Sequence, residues 1–175
     1  YLFYNDGSIP TTAATADVII TGETTNNLFG TSFAAGDFNA DGKTDLAIGA
    51  YGYSTSTGRA YLFYNDGSIP TTAATADVII SGEGTSNYFG YVITAADFNA
   101  DGKTDFSVGA YVVSKIYIFY SQNGQVSTNQ SITGNATNTQ FGKALVTGDF
   151  NADGRIDLAV GTERYSSFTG RAYIF

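Results

Sequence analysis

Residues 37–45 read DFNADGKTD, and the stretch recurs as DFNADGKTD at residues 97–105 and as DFNADGRID at residues 149–157. Each copy has oxygen-bearing side chains at positions 1, 3, 5 and 9 and a glycine at position 6. Calcium takes roughly six to eight oxygen ligands, which a tight loop supplies from alternate side chains and one backbone carbonyl. The alternative is a polar hairpin turn, since Asp-Gly is a common turn dipeptide. Three copies in one register favour three calcium sites.

The composition is typical of strands and turns. Of 175 residues, 21 are Gly, 13 are Tyr and 13 are Phe, and only 14% are charged. Many aromatic residues and glycines with few charges favour β-structure over helices. The length predicts one domain. We expect no membrane-spanning helix, because the sequence has no run of about 18 apolar residues.

The charge and the missing residue types exclude several functions. A net charge of −8 argues against nucleic-acid binding. The chain has no His and no Cys, so it lacks the commonest catalytic bases and nucleophiles, and we predict that it is not an enzyme. Glu23 and Glu83 occupy the same repeat position, and we interpret them as solvated turn residues rather than a glycosidase pair. The absence of Met predicts a processed product or a piece of a longer polypeptide.

Internal repeats organise the chain. Residues 1–20 are identical to residues 61–80, and weaker copies begin at residues 117 and 173. The predicted repeat units are therefore residues 1–60, 61–116 and 117–172, with a fourth unit starting at 173–175.

Each unit contains four short stretches with strand-like alternation. The predicted strands are residues 31–36, 45–50, 59–64 and 77–80, then 91–96, 105–110, 115–120 and 130–133, then 143–148, 157–161 and 171–175, with residues 1–4 and 17–20 as further outer strands. Tandem four-stranded antiparallel units are typical of β-propeller blades. We expect an all-β propeller with about three blades and an incomplete ring. Flanking repeats or further copies of the chain would complete it.

Short motifs flank each metal loop. Phe29-Gly30 and Gly49-Ala50 bracket the first loop, Phe89-Gly90 and Gly109-Ala110 the second, and Phe141-Gly142 and Gly161 the third. This pattern resembles the FG-GAP repeat of integrin α-subunit propellers and their bacterial, archaeal and fungal relatives. The resemblance implies calcium in hairpin loops between the first two strands of each blade. The implied ligands are Asp37, Asn39, Asp41, the Lys43 carbonyl and Asp45; Asp97, Asn99, Asp101, the Lys103 carbonyl and Asp105; and Asp149, Asn151, Asp153, the Arg155 carbonyl and Asp157.

Two details qualify the resemblance. The family's Pro after Gly-Ala is replaced by Tyr51 and Tyr111, and the third unit has Glu163 at that position. An EF-hand would need an acidic ligand at position 12 of the loop, where this chain has Ile48, Val108 or Val160. The helix-loop-helix reading is therefore rejected.

Three functions are compatible with these residues. The first is a calcium-binding extracellular module for adhesion or ligand binding, and the second is a structural subunit of a surface fibre or sheath. The third is a multivalent carbohydrate-binding propeller or an accessory domain of a polysaccharide-active enzyme. The protein or glycan partner is not identified. Tyrosines near predicted turns are the candidates for ligand contact, namely Tyr51, Tyr53, Tyr88, Tyr91, Tyr111 and Tyr165. We interpret the aromatic strands at 1–4, 61–64 and 117–120 chiefly as core rather than as surfaces that stack on sugars.

Overall fold

The computed structural model describes residues 1–122, 125–136 and 139–175. It confirms an all-β chain whose strands form three antiparallel sheets. The strands are β1 (Phe33–Gly36), β2 (Asp45–Ala50), β3 (Arg59–Phe63), β4 (Val78–Ser81), β5 (Val92–Ala96), β6 (Asp105–Ala110), β7 (Lys115–Gln122), β8 (Gln125–Thr133), β9 (Ala144–Gly148), β10 (Asp157–Thr162) and β11 (Arg171–Ile174). Single 3₁₀ turns occupy Ala13–Thr15, Ala73–Thr75 and Tyr111–Val113. Residues 53–56 form a tight turn in which Ser54, Thr55 and Ser56 have positive φ.

The sheets are the blades of a partial propeller. Blade 1 has the strand order β1-β2-β3-β4, blade 2 has β5-β6-β7-β8, and blade 3 has β9-β10-β11 among the described residues. Each sequential meander follows from the short turns between its strands. The first strands of consecutive blades, β1, β5 and β9, lie next to one another. The first strands therefore form the inner side of the array.

The strand predictions hold best next to the metal loops. β2 and β6 span the predicted residues 45–50 and 105–110, whereas β8 begins five residues before the predicted 130–133. Residues 1–4 and 17–20 do not form the predicted strands and make one isolated bridge, Leu2 with Val18. The same sequence at residues 61–63 lies in β3, where it pairs with β2 and β4. Pairing on both sides distinguishes the second copy from the first.

The core consists of layers between neighbouring blades. Leu62 in β3 faces the layer between blades 1 and 2, whereas Tyr61 and Phe63 face the opposite side of blade 1. All three side chains are fully buried, which confirms the core interpretation for the aromatic strand at 61–64. The interpretation is wrong for residues 1–4, where Tyr1 and Tyr4 are exposed because no further strand of the described residues covers them. The Phe of each Phe-Gly pair packs edge-on against aromatic rings of the third strand of its own blade. The ring centroids of Phe89 and Tyr117, for example, are 5.4 Å apart.

Two glycines set the distance between blades. A Cβ at Gly49 would lie 2.0 Å from the carbonyl oxygen of Gly90, and one at Gly109 would lie 2.2 Å from that of Gly142. The blades therefore approach too closely for any side chain at these positions. Within the described part of the chain, no helix has the length and apolar character needed to cross a membrane.

Candidate metal loops and the opposite end of the blades

The three predicted metal loops lie at the same end of their blades, here called the metal-loop end. Each loop connects the first strand to the second: residues 37–44 join β1 to β2, residues 97–104 join β5 to β6, and residues 149–156 join β9 to β10. This is the hairpin position that the family resemblance implies.

Backbone amides bind the oxygens of the first loop. Asp37 accepts hydrogen bonds from the N–H groups of Asp41 (3.0 Å) and Gly42 (2.8 Å). Asn39 accepts a second bond from the Asp41 N–H, at 3.0 Å, and Asp41 accepts one from the Lys43 N–H, at 2.9 Å. The Lys43 backbone bond is the main cause of a lowered pKa at Asp41. Gly42 has a φ of 85°, which glycine adopts without strain.

The second and third loops repeat this network. Their equivalent hydrogen bonds span 2.8–3.1 Å. The side chains at positions 1, 3 and 5 are thus held by the same amides in all three loops, so each loop has the same local structure.

The aspartate at position 9 has a second role. Asp45 is 1% exposed and accepts hydrogen bonds from the N–H groups of Phe38 (2.9 Å) and Asn65 (2.8 Å). Asp105 is fully buried and accepts the equivalent bond from the Ser121 N–H, at 2.9 Å. Burial raises the pKa of Asp45 and of Asp105. These two carboxylates therefore tie the metal loop to the end of the third strand.

The donor set fits calcium in residue type and register. Each loop offers three carboxylates, one amide oxygen and one backbone carbonyl, all hard oxygen ligands. In the structure these carboxylates accept amide hydrogen bonds. Within residues 1–122, 125–136 and 139–175, no group of three or more Asp, Glu, His or Cys side chains is gathered closely enough to hold a metal ion.

The opposite end of the blades carries a repeated ion pair that the sequence reasoning missed. Glu23 accepts two hydrogen bonds from Arg59, at 2.8 and 2.9 Å, and Glu83 binds Lys115 at 3.2 Å. The Glu23 side chain is only 16% exposed, so the prediction of a solvated turn residue was wrong for it. The signal was the shared register of Glu23 with Glu83 and of Arg59 with Lys115 in successive repeat units.

Four of the six candidate tyrosines meet at this opposite end. Tyr51, Tyr88, Tyr91 and Tyr111, here called the tyrosine cluster, span blades 1 and 2. The ring centroids lie 5.3 Å apart for Tyr51 and Tyr88, 5.2 Å for Tyr51 and Tyr91, 5.5 Å for Tyr88 and Tyr111, and 4.6 Å for Tyr91 and Tyr111. All four are partly exposed. Burial is the main cause of a raised pKa at Tyr111.

The other two candidates lie against arginines. The Arg59 guanidinium lies 3.5 Å from the centre of the Tyr53 ring, and the Arg171 guanidinium lies 3.8 Å from that of Tyr165. These rings are occupied by cation–π contacts within their own blades.

A cavity of about 670 Å³ opens on blade 3, lined by Tyr91, Lys143, Gly161, Gly170 and Arg171 among others. The equivalents of these two glycines in blade 1 are Gly49 and Gly58, and both face the Phe89-Gly90 turn of the next blade. The cavity on blade 3 is therefore lined by the same repeat positions that contact the Phe89-Gly90 turn where blades 1 and 2 meet.

Two family descriptions match the chain. The FG-GAP repeat family matches residues 29–63, and a family described as FG-GAP-like repeat matches residues 97–160. Together the two matches include all three metal loops.

Curated proteins of two kinds are similar to the chain. Phosphatidylinositol-glycan-specific phospholipase D from Bos taurus is 33% identical over 153 residues, which cover 76% of this chain and 18% of that protein. Integrin alpha-5 from Xenopus laevis is 30% identical over 158 residues, covering 78% of this chain and 14% of that protein. Integrin alpha-8 from Homo sapiens is 30% identical over 150 residues, with the same two shares. The chain thus spans less than a fifth of the length of these relatives.

Proposed function

We propose that this chain, which belongs to the FG-GAP repeat family, is a calcium-stabilised propeller segment that acts outside the cell as an adhesion or ligand-binding module. The observation that carries the proposal is the common placement of three loops with one donor register at one end of three blades. The similarity to integrin alpha subunits supports the adhesion role.

In the first loop, the side chains of Asp37, Asn39, Asp41 and Asp45 and the Lys43 carbonyl would hold one ion, and the equivalent residues would hold one in each other loop. Bound calcium would supply positive charge to three carboxylates that otherwise repel one another. The chain's own part is to hold these oxygens in register through the loop amides and to anchor position 9 to the third strand.

An extracellular location follows from the affinity expected of such loops. Extracellular calcium modules bind with dissociation constants of about 10⁻⁴–10⁻³ M, which matches the calcium concentration outside cells. The excess of acidic residues in the loops is then counter-charge, since three divalent ions would reduce the net charge from −8 to −2.

We infer a binding role rather than catalysis for this segment. The chain has no His or Cys, and its three glutamates are held in ion pairs with Arg59, Lys115 and Lys143. The phospholipase activity named for one group of relatives belongs to proteins of which this chain matches 18% or less.

A second candidate role, in a repeating surface fibre or sheath, is favoured by the cavity on blade 3. Its lining matches the seam that holds the Phe89-Gly90 turn, so the natural occupant is the Phe-Gly turn of a further repeat unit. Sedimentation of the purified chain tests self-assembly through this surface. A concentration-dependent series of polymers would support it, and a single discrete mass would exclude an open filament.

A thermal melt tests the calcium proposal. Because an ion that binds only the folded state stabilises it by mass action, 2 mM calcium should raise the melting temperature above that in EDTA. At about two to twenty times the dissociation constant given above, the gain is about 0.6–1.8 kcal/mol for each site. The same concentration of magnesium is the control for ionic strength. Equal midpoints in calcium and EDTA would refute the proposal.

A further inference from the structure

We propose that the tyrosine cluster, with Lys143 beside it, forms a binding site for a carboxylate-bearing saccharide. This inference names a ligand class for the proposed binding function and rests on that function. It depends on three observations: the cluster is not required by the fold, its side chains are partly exposed, and the charge of this end favours an anion.

The fold does not require tyrosines at these positions. The equivalent residues in the other units are Leu28 and Gln140 for Tyr88, Thr31 and Lys143 for Tyr91, and Tyr51 and Glu163 for Tyr111. Elsewhere the first two units are identical over twenty consecutive residues, 1–20 and 61–80. The cluster is thus specific to the seam between blades 1 and 2, in a chain whose structural positions otherwise repeat.

The rings are accessible and suited to a sugar. Each cluster tyrosine is partly exposed, unlike Tyr61, which is fully buried in the core. The face of an aromatic ring is electronegative and attracts the weakly positive C–H groups on the face of a sugar ring. Each phenol hydroxyl can donate and accept a hydrogen bond with sugar hydroxyls. Tyrosine also offers a large contact area with little side-chain entropy to lose.

The local charge favours an acidic ligand. The end of the blades that carries the cluster holds five of the eight Lys and Arg residues and only three of the sixteen acids, all of them glutamates. Each glutamate is paired with one cation. In the described parts of the chain, Arg164 and Arg171 have no carboxylate within ion-pair distance. An otherwise acidic protein therefore presents a net positive surface here.

One cation of this end, Lys143, lies at the cluster itself, with its ammonium 5.5 Å from the centre of the Tyr111 ring. Lys143 also pairs with Glu163, whose side chain is 51% exposed. A ligand carboxylate at Lys143 would replace an exposed ion pair, which contributes little to stability.

A glycan array carrying neutral, uronate-bearing and sialylated oligosaccharides identifies which oligosaccharides bind. Titration calorimetry of the full chain in calcium then measures the affinity for a bound oligosaccharide. We expect retention of acidic glycans and not of neutral glycans with the same linkages. The double variant Y91A/Y111A should bind at least about tenfold more weakly, because two stacking surfaces are lost. The matched control is Tyr4→Ala, which removes an exposed tyrosine at residues 1–4 and should leave binding unchanged.

Charge variants separate ligand contact from loss of structure. Lys143→Gln should remove the preference for acidic over neutral glycans without changing the melting temperature. Glu163→Gln should strengthen acidic-glycan binding about two- to threefold, since it frees Lys143 from a competing carboxylate. If the array retains only neutral glycans, or none, the inference is wrong. If the chain binds a protein ligand but no acidic glycan, and Y91A/Y111A leaves that binding intact, the inference is also wrong. The proposed binding function would still be supported.

Discussion

Asp45 accepts a hydrogen bond from the backbone N–H of Asn65, twenty residues later in the chain, at 2.8 Å. Asp105 and Ser121 repeat the contact at 2.9 Å. The last aspartate of each metal loop in blades 1 and 2 therefore reaches across the blade to the end of the third strand. This contact links the proposed calcium sites to the sheet that holds them, so loop and blade should stabilise each other.

Removing this aspartate should destabilise the protein even without calcium. Asp105→Ala leaves the buried N–H groups of Phe98 and Ser121 without their acceptor, and we expect a loss of about 2–4 kcal/mol in the free energy of unfolding. Urea denaturation in EDTA measures this. The matched control is Asp157→Ala. Asp157 is half-buried and, among the described residues, accepts a backbone hydrogen bond only from the Phe150 N–H, so its loss should cost less. Equal losses for the two variants would contradict this role for Asp105.

A methyl group added at Gly49, where blades 1 and 2 meet, should destabilise the protein. Gly49→Ala places a Cβ 2.0 Å from the Gly90 carbonyl oxygen, and backbone on both sides must shift, so we expect a loss of about 2–3 kcal/mol. Gly161→Ala is the control, because its nearest contact is the Ala144 Cβ at 3.3 Å, and it should cost less than about 1 kcal/mol. Both are read from the same urea series. A tolerated Gly49→Ala would mean that blades 1 and 2 pack differently.

Alkaline pH should unfold the protein through its buried tyrosines. Burial raises the pKa of Tyr61, Tyr64 and Tyr117. A raised folded-state pKa means that the neutral phenol is favoured in the fold. Its stabilisation is therefore complete below about pH 10, the ordinary tyrosine pKa, and is lost as the pH rises through the raised value. We expect stability to fall above about pH 10, while the ultraviolet absorbance of the phenolate form rises as the buried tyrosines ionise.

Tyr64→Phe gives this prediction a control. The Tyr64 hydroxyl is buried without a hydrogen-bond partner among the residues that the structure describes. Its removal should leave stability at pH 7 unchanged or raise it by up to about 1 kcal/mol, and it should reduce the alkaline loss. A clear loss at pH 7 would show that the hydroxyl has a partner.

The strands beside the metal loops were predictable because local signals mark both of their ends. β2 and β6 each begin at the ninth loop residue and end at Gly-Ala, and the alternation between these points is simple. The metal-loop positions could be read in the same way, since the donors of one loop are neighbours in sequence. Ion binding by these loops stays a prediction.

Identical sequence did not give identical structure. Residues 1–20 and 61–80 have the same sequence, and both contain a helical turn, at Ala13–Thr15 and Ala73–Thr75, because that turn depends on local contacts. Only the second copy forms full strands, since β3 has partners on both sides. Tyr1 is 64% exposed, while its counterpart Tyr61 is fully buried.

The tyrosine cluster could be predicted only as separate residues near turns. Its members come from a strand end, an interblade loop and the flanks of β5 and β6, across two blades. Their contact depends on how closely the blades approach at Gly49 and Gly90, which no sequence period encodes. The hydrogen bond from the Asn65 amide to Asp45 was likewise not predictable from the sequence, because it joins residues twenty positions apart.

Native mass spectrometry of the chain in calcium acetate counts bound ions and therefore tests calcium binding by the loops. We predict three calcium ions per chain, one for each loop. We also predict the loss of one ion in each of Asp41→Ala, Asp101→Ala and Asp153→Ala, with the other two retained. A chain that retains no calcium under these conditions, or loop variants that keep all three ions, would contradict this prediction.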